Sequence, residues 1–268
     1  MSIETHIDSA LTRVKQEQTH IDAECQAYER FLSGVTSLSP QPAAAPVTNP
    51  SAAGGTLSVP AGSQPDAATT DADRVRELFA ETVRPHSVAD LDTEEPLLKT
   101  IREELGDSLA FVLASETNAG VSPQVQSAIY SKSQQRLQEL KTMRSVVDRE
   151  YESLQAADND YQTVSKWVEE HNQTSLAELE FSELQRRHEQ LSTYRNRCEE
   201  RLRVRQETIH LMTSRDAQLG LEHDSLLMYL YQEFPVSYPV LSTVTRLHTL
   251  LADRQRSVRD HLTRGFDS

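Results

Sequence analysis

At 268 residues the chain has room for one or two domains. Asp and Glu outnumber Lys and Arg by 41 to 27, and the resulting net charge of −14 disfavours nonspecific attraction of the whole chain to nucleic acid or anionic membrane. A hydrophobic share of 37% with only 6% aromatic residues is lean for a thick globular core but enough for helices that each bury a narrow seam.

The first domain expected is residues 1–35. Ile7, Leu11, Val14, Gln18, Ile21, Cys25, Tyr28 and Leu32 alternate by four and three, the spacing of a heptad seam on one amphipathic helix. Gln18 is the one polar residue on that seam, a kind of position that selects register or partner at a cost in stability. A helix this short is marginal alone. It either packs on later helices of the same chain or associates in trans. Residues 36–70 then carry six of the eleven prolines, at 40, 42, 46, 50, 60 and 65, with Gly54, Gly55 and Gly62 among Ala, Ser and Thr. Without periodicity or apolar content this segment reads as a disordered tether.

Residues 71–268 read as an all-helical body. Short helices are expected over 71–117. Asp71 or Asp73 caps the first, which carries Val75, Leu78, Phe79 and Val83 and stops before Pro85. Asp90, Asp92, Glu94 and Glu95 lack the glycine and bidentate spacing of a calcium loop, and read instead as the acidic start of a helix with Pro96 near its first turn. Leu97, Leu98, Ile101 and Leu105 form that helix's buried face and Gly106 ends it. Asp107 then caps a short apolar helix.

A long hairpin is expected over 122–215. Ser122 caps, Pro123 suits the first helical position, and no Gly or Pro interrupts the next stretch of almost fifty residues. Leu137, Leu140, Val147, Tyr151, Leu154, Tyr161 and Val168 mark its stripe. Residues 172–175 form a polar turn, with a capping box expected from Ser175 and Glu178. The returning seam shows Leu184, Leu191, Tyr194, Cys198, Leu202, Ile209 and Met212. Two long helices joined by a short polar turn favour an antiparallel hairpin. C-terminal helices follow over 224–264. Asp224 caps a short helix that ends before Pro235. Tyr238 and Pro239 open the last one, whose wide face holds Val240, Leu241, Val244, Leu247, Leu250, Leu251, Val258 and Leu262. Strand-like alternation is nowhere evident, so the fold class is all-α.

Chemistry is hard to find in this chain. The eight glycines form neither of the phosphate-cradling patterns, and the common zinc, redox and hydrolase signatures do not occur. His188 beside Glu189, and His223 between Glu222 and Asp224, have no second ligand at useful spacing. Glu207-x-x-His210 does not by itself make a carboxylate-bridged di-metal bundle, and none is expected. Cys25 and Cys198 lie on apolar stripes and read as buried thiols in a reducing compartment. No catalytic, cofactor-binding or metal-ligating residues, and no cofactor, are expected. The apolar runs at 109–114 and 226–231 are too short to span a membrane. Ile3 and Ile7 are interrupted by Glu4, His6 and Asp8, so no leader pattern opens the chain. A cytoplasmic protein is expected.

Arginine is the remaining lead. Arg186, Arg187, Arg195, Arg197, Arg201, Arg203 and Arg205 crowd one helix, interleaved with Glu189, Glu199, Glu200 and Glu207. Pairing with acids of the neighbouring helix accounts for the run; contact with nucleic acid is the rival reading. Only five lysines accompany the chain's twenty-two arginines. An acid-rich, lysine-poor composition suits hydration in high salt, and a GC-rich genome equally favours arginine.

Several runs carry a resemblance. Val75-Arg76-Glu77-Leu78-Phe79-Ala80-Glu81-Thr82-Val83, Glu95-Pro96-Leu97, Glu103-Glu104-Leu105-Gly106, Ser122-Pro123-Gln124 and Asp148-Arg149-Glu150-Tyr151-Glu152-Ser153-Leu154 resemble a family of uncharacterised haloarchaeal helical proteins, a domain of unknown function. The segments 197–205 and 238–241 are similar too. The resemblance implies a helical fold and a halophilic, archaeal source, and carries no activity or site residue.

The expectation is therefore a non-enzymatic coiled-coil interaction or scaffold protein. It has protein partners, is expected to form a homo-oligomer through its heptad seams, and makes no membrane contact. Ile7, Leu11, Val14, Ile21, Tyr28, Leu140, Val147, Leu154, Leu191, Leu202 and Ile209 are the packing residues. The competing expectation is a transcription-type regulator that contacts DNA through the arginine-rich helix 186–205.

Overall fold

The computed structural model describes residues 5–38, 70–87, 96–114, 121–215 and 223–264. Most of the 36–70 tether, the acids Asp90, Asp92, Glu94 and Glu95, and Gly220 lie outside these residues. Among the described residues the only regular structure is helical. In chain order the helices are α1 (Ile7–Ser37), α2 (Asp71–Thr82), α3 (Arg84–Ser87), α4 (Leu97–Leu105), α5 (Asp107–Val112), α6 (Pro123–His171), α7 (Phe181–Arg215), α8 (His223–Tyr231) and α9 (Pro239–Arg264). A 3-10 turn, Leu176–Glu178, precedes α7. The chain divides into two compact units, one of Met1–Gln18 with Ser145–Ser268 and one of Thr19–Arg144, so α1 and α6 each contribute to both.

The buried stripe of α1 differs from the expected seam. Ile7, Val14, Ile21, Tyr28 and Leu32 are buried as foreseen, but Leu11, Gln18 and Cys25 are only half-buried. Their places are taken by Ala10, Glu17 and Glu24, one position earlier in each case, and Phe31 and Val35 join the stripe. Hydrophobicity alone had excluded the two glutamates. Each enters because a cation meets it: Arg13 lies 2.9 Å from Glu17, and Arg136 lies 3.1 Å from Glu24.

In the unit Thr19–Arg144, α1 packs against α2 and α6. Phe31 meets the edge of Phe79 at 5.5 Å between ring centroids. Beside it, Gly34 lets α2 approach: a Cβ there would sit 2.9 Å from a terminal methyl of Leu78. Along α6 the partners of α1 fall in reversed order. Arg144 bonds Asp22 at 2.7 Å, Lys141 bonds Glu29 at 3.2 Å, and the Gln126 amide donates to the Val35 and Leu38 carbonyls at 2.7 and 2.9 Å. Thr70 caps α2 through a reciprocal box with Asp73, in place of either expected aspartate. The helix stops before Pro85 as expected, and the single turn α3 takes the proline up.

Gly106 separates α4 from α5 with φ +95° and ψ 162°. Asp107 occupies the first turn of α5 rather than the cap, and its carboxylate pairs with Arg102 at 3.1 Å. That backbone region is essentially closed to residues with a Cβ. A Gly106 side chain would meet no atom within 4 Å, so the constraint is conformational rather than steric crowding.

In the other unit, α7 packs along α9 and α8 packs on α7. The capping box expected at Ser175 and Glu178 does not form: Ser175 makes no side-chain cap bond, the segment winds into the 3-10 turn, and α7 starts at Phe181. Pro239 begins α9 as the first-turn position permits. Leu140, Val147, Leu154 and Leu191 are buried, whereas Leu202 and Ile209 are half-buried; the side chain of Met212 lies outside the described set. Along α6 the stripe again admits acids: Glu150 and Asp160 are buried while Tyr151 and Tyr161 are half-buried.

Gly106→Ala is expected to lose about 1–3 kcal/mol of stability in urea unfolding, the cost of forcing a side chain into that backbone region. A loss below a few tenths would show that the α4–α5 joint relaxes freely.

Candidate functional site

The arginine-rich face of α7 is the strongest concentration of one charge, and its chemistry depends on what each guanidinium already holds. Seven arginines fall within about five turns, so they point to several sides of the helix. Arg197 and Arg201, one turn apart, converge on Asp160 of α6 at 2.5 and 2.8 Å. Asp160 is buried, which makes its two cations a condition of its charge. Arg205 reaches Glu150, one of the least exposed acids of the chain, at 2.6 Å; the two side chains are 3% and 1% exposed. Tyr231 of α8 donates its hydroxyl to the other Glu150 oxygen, also at 2.6 Å. Burial, reinforced by the Glu150 charge, raises the Tyr231 hydroxyl well above the usual phenol range. This triad is incompletely satisfied, because the Nε and Nη2 atoms of Arg205 are buried without a hydrogen-bond acceptor.

The other arginines divide between seam and surface. Buried Arg187 donates Nε to Glu183 at 3.0 Å and Nη1 to the last carbonyl of α6, on His171, at 2.8 Å. Arg195 crosses to α9, where Gln255 accepts at 2.8 Å, and lies 3.7 Å from Glu199. Arg186 pairs with Glu183, and Arg203 with Glu200 and Glu207, all at 2.6 Å along the exposed face. Such exposed pairs are screened by water and contribute little, whereas breaking a buried pair costs about 3–5 kcal/mol. Every member of the run thus holds an acid within its own unit.

A second ionic cluster lies in the unit Thr19–Arg144. Arg136 of α6 sits between Glu24 of α1 at 3.1 Å and Glu104 of α4 at 3.3 Å, and Tyr28 donates to Glu104 at 2.6 Å. Burial raises the Glu24 carboxyl above its usual range despite the attraction of Arg136.

The remaining candidates are dispersed. His188 and Glu189 do not join a ligand set, Glu207 is engaged by Arg203, and the side chains of His210 and His223 lie outside those described. Among the described residues no three His, Cys, Asp or Glu gather in a metal-holding group, and no helix is long and apolar enough to cross a membrane. Cys198 is buried and its thiol is pushed up to about 11, by burial first and the Asp160 carboxylate second. Cys25 is half-buried rather than buried. The acids Glu17, Glu24, Glu150 and Asp160 were missed by pattern reading. The signal available for Glu24, Glu150 and Asp160 was the arginine on the facing helices, and for Glu17 it was Arg13 one turn earlier on the same helix.

The fold and its ionic seams define an all-helical protein. The family is shown by a profile match over residues 5–263: the chain belongs to DUF7260, a domain of unknown function. No curated protein and no solved structure matches it.

Two outcomes test the clusters. Glu150→Leu or Arg205→Met alone is expected to lose about 3–5 kcal/mol in urea unfolding, and the triple variant Glu150→Leu/Arg205→Met/Tyr231→Phe to recover most of that loss. Triple and single variants of equal stability would mean the cluster contributes through packing, not charge. For Glu24 the folded carboxyl binds its proton more tightly than the unfolded one, so its contribution falls as pH rises from about 4.5 towards neutrality. Glu24→Gln should therefore gain stability relative to the parent over that interval. A relative loss would mean that the attraction of Arg136 outweighs burial.

Proposed function

We propose that this chain is a non-enzymatic protein-interaction scaffold whose body is an antiparallel helical hairpin of α6 and α7. The observation that carries the hairpin is the reversed order of partners. Arg187 bonds His171, Tyr194 meets Trp167 at 5.7 Å between ring centroids, Arg201 bonds Asp160, and Arg205 bonds Glu150. What supports an interaction role over a DNA-contacting one is that the arginines of 186–205 are committed to carboxylates. Phosphate would have to displace those acids before it could bind. Salt-dependent DNA binding through this helix remains the rival reading.

Self-association is part of the proposal. The seam of α1 is buried within the chain, so an oligomer would form either by exchange of α1 between copies, which preserves every contact described, or through side chains that stay exposed. Phe111, Met228 and Phe181 are 72%, 61% and 48% exposed, high for residues of their size. A halophilic source and a cytoplasmic setting are proposed with it, supported by the excess of acids, the scarcity of lysine and the free thiols.

The test is the light-scattering mass of the full chain in molar salt, across a range of concentration, beside its affinity for duplex DNA across salt. A mass above the 30.2 kDa of one chain, with no DNA retention, supports the scaffold. A single-chain mass at every concentration ends the self-association proposal. Tight DNA binding that falls steeply with salt, and is lost on reversing Arg186 and Arg203, would replace it with the regulator.

A further inference from the structure

A cleft of about 70 Å³ lies where α6 ends, between the following turn, the first part of α7 and the second half of α9. Its apolar lining comes from Trp167, Val168, Leu176, Leu191 and Val258, and its charged lining from Arg187 and Arg254. None of the residues lining it is acidic. In a chain with a net charge of −14, a concave site with two guanidiniums and no carboxylate is out of keeping with the rest of the surface.

The two cations differ in how far they are neutralised. Arg187 is fixed by Glu183 and by the His171 carbonyl, so it is preorganised at little further entropic cost. Arg254 reaches only the neutral Asn172 side chain, and among the described residues it pairs with no carboxylate. Trp167 stacks on His171 at 4.2 Å between centroids with their planes 18° apart, and this pair walls one side. Asn172, Thr174 and Ser257, all exposed, place the opening towards solvent.

Apolar walls with a few convergent polar groups are the make-up of a small-molecule site. From this we infer that the cleft binds a short monocarboxylate, its oxygens on Arg254, with Arg187 beside it still held by Glu183, and its tail on Leu191 and Val258. The volume sets the tail. An apolar cavity of about 150 Å³ holds benzene, so this one takes about two or three carbons, with the charged end at the mouth. A bare inorganic oxyanion would leave the apolar walls unused. The inference shares the α6–α7 arrangement with the scaffold proposal but needs neither a protein partner nor an oligomer, so either can fail without the other.

Trp167 is the chain's only tryptophan, so intrinsic fluorescence reads this cleft directly. The experiment titrates the full chain with sodium propionate, propionamide and inorganic phosphate at one ionic strength, set with sodium chloride. The expected result is a saturable change with propionate, with half-saturation at least about tenfold weaker for propionamide and for phosphate. Arg254→Gln should weaken propionate by a similar factor, and Arg254→Lys should restore part of it. Absence of a saturable response to propionate overturns the inference. Equal binding of propionamide shows that charge is not read, and equal or tighter binding of phosphate shows that the apolar walls are not used; either result overturns it as well. The propionamide comparison uses the unaltered chain, so it decides the matter even if the Arg254 variants fold poorly.

Discussion

The charge pair between Glu150 and Arg205 is the constraint on which the rest of its unit turns. Two ions withdrawn from water to 1% and 3% exposure survive only while they face each other. Their meeting ties α7 to α6 at this point, and Tyr231 adds α8 to it. The leucines of the seam supply most of the driving force, but leucine faces leucine acceptably in several registers. Ionic positions remove that freedom. The same logic recurs where Asp160 takes two arginines and where Arg136 takes two glutamates from different helices.

Why arginine rather than lysine serves here follows from geometry. Arg136 engages Glu24, Glu104 and Glu139 from one planar group, at 3.1, 3.3 and 3.8 Å. A lysine ammonium is a compact, strongly hydrated point that offers no such fork and loses more on leaving water. The twenty-two arginines of the composition therefore have a structural outlet beyond genome bias. The buried pairs are also screened far less by salt than the exposed ones on the outer face of α7.

The helices themselves were legible because helical periodicity, prolines and glycines are local signals. Pro96, Gly106 and Pro239 mark the element ends close to where they fall. The seam of α1 shows where legibility stops. The four-three spacing selects Leu11, Gln18 and Cys25, while the helix buries Ala10, Glu17 and Glu24 one position earlier. Glu17 is answered by Arg13 one turn away, but Glu24 is answered by Arg136, more than a hundred positions distant, which no local reading announces. For the same reason the arginine run of α7 was recognisable as unusual, yet its acceptors in α6 were not. The cleft beside Trp167 left no pattern at all, being assembled from the end of one helix, a turn and the far part of another.

The stacking of ionic sites along one helix also has a digital character. If α7 were displaced along α6 by seven residues, its side chains would move about 10 Å, enough to part Arg205 from Glu150 and Arg201 from Asp160. Such a slip would leave the buried carboxylates of Glu150 and Asp160 without their cations, which is strongly destabilising. Any helix put in the place of α6 would need an acid at each of these two positions to satisfy the arginines of α7. The spacing of Glu150 and Asp160 thus works as a key cut into an otherwise generic helix.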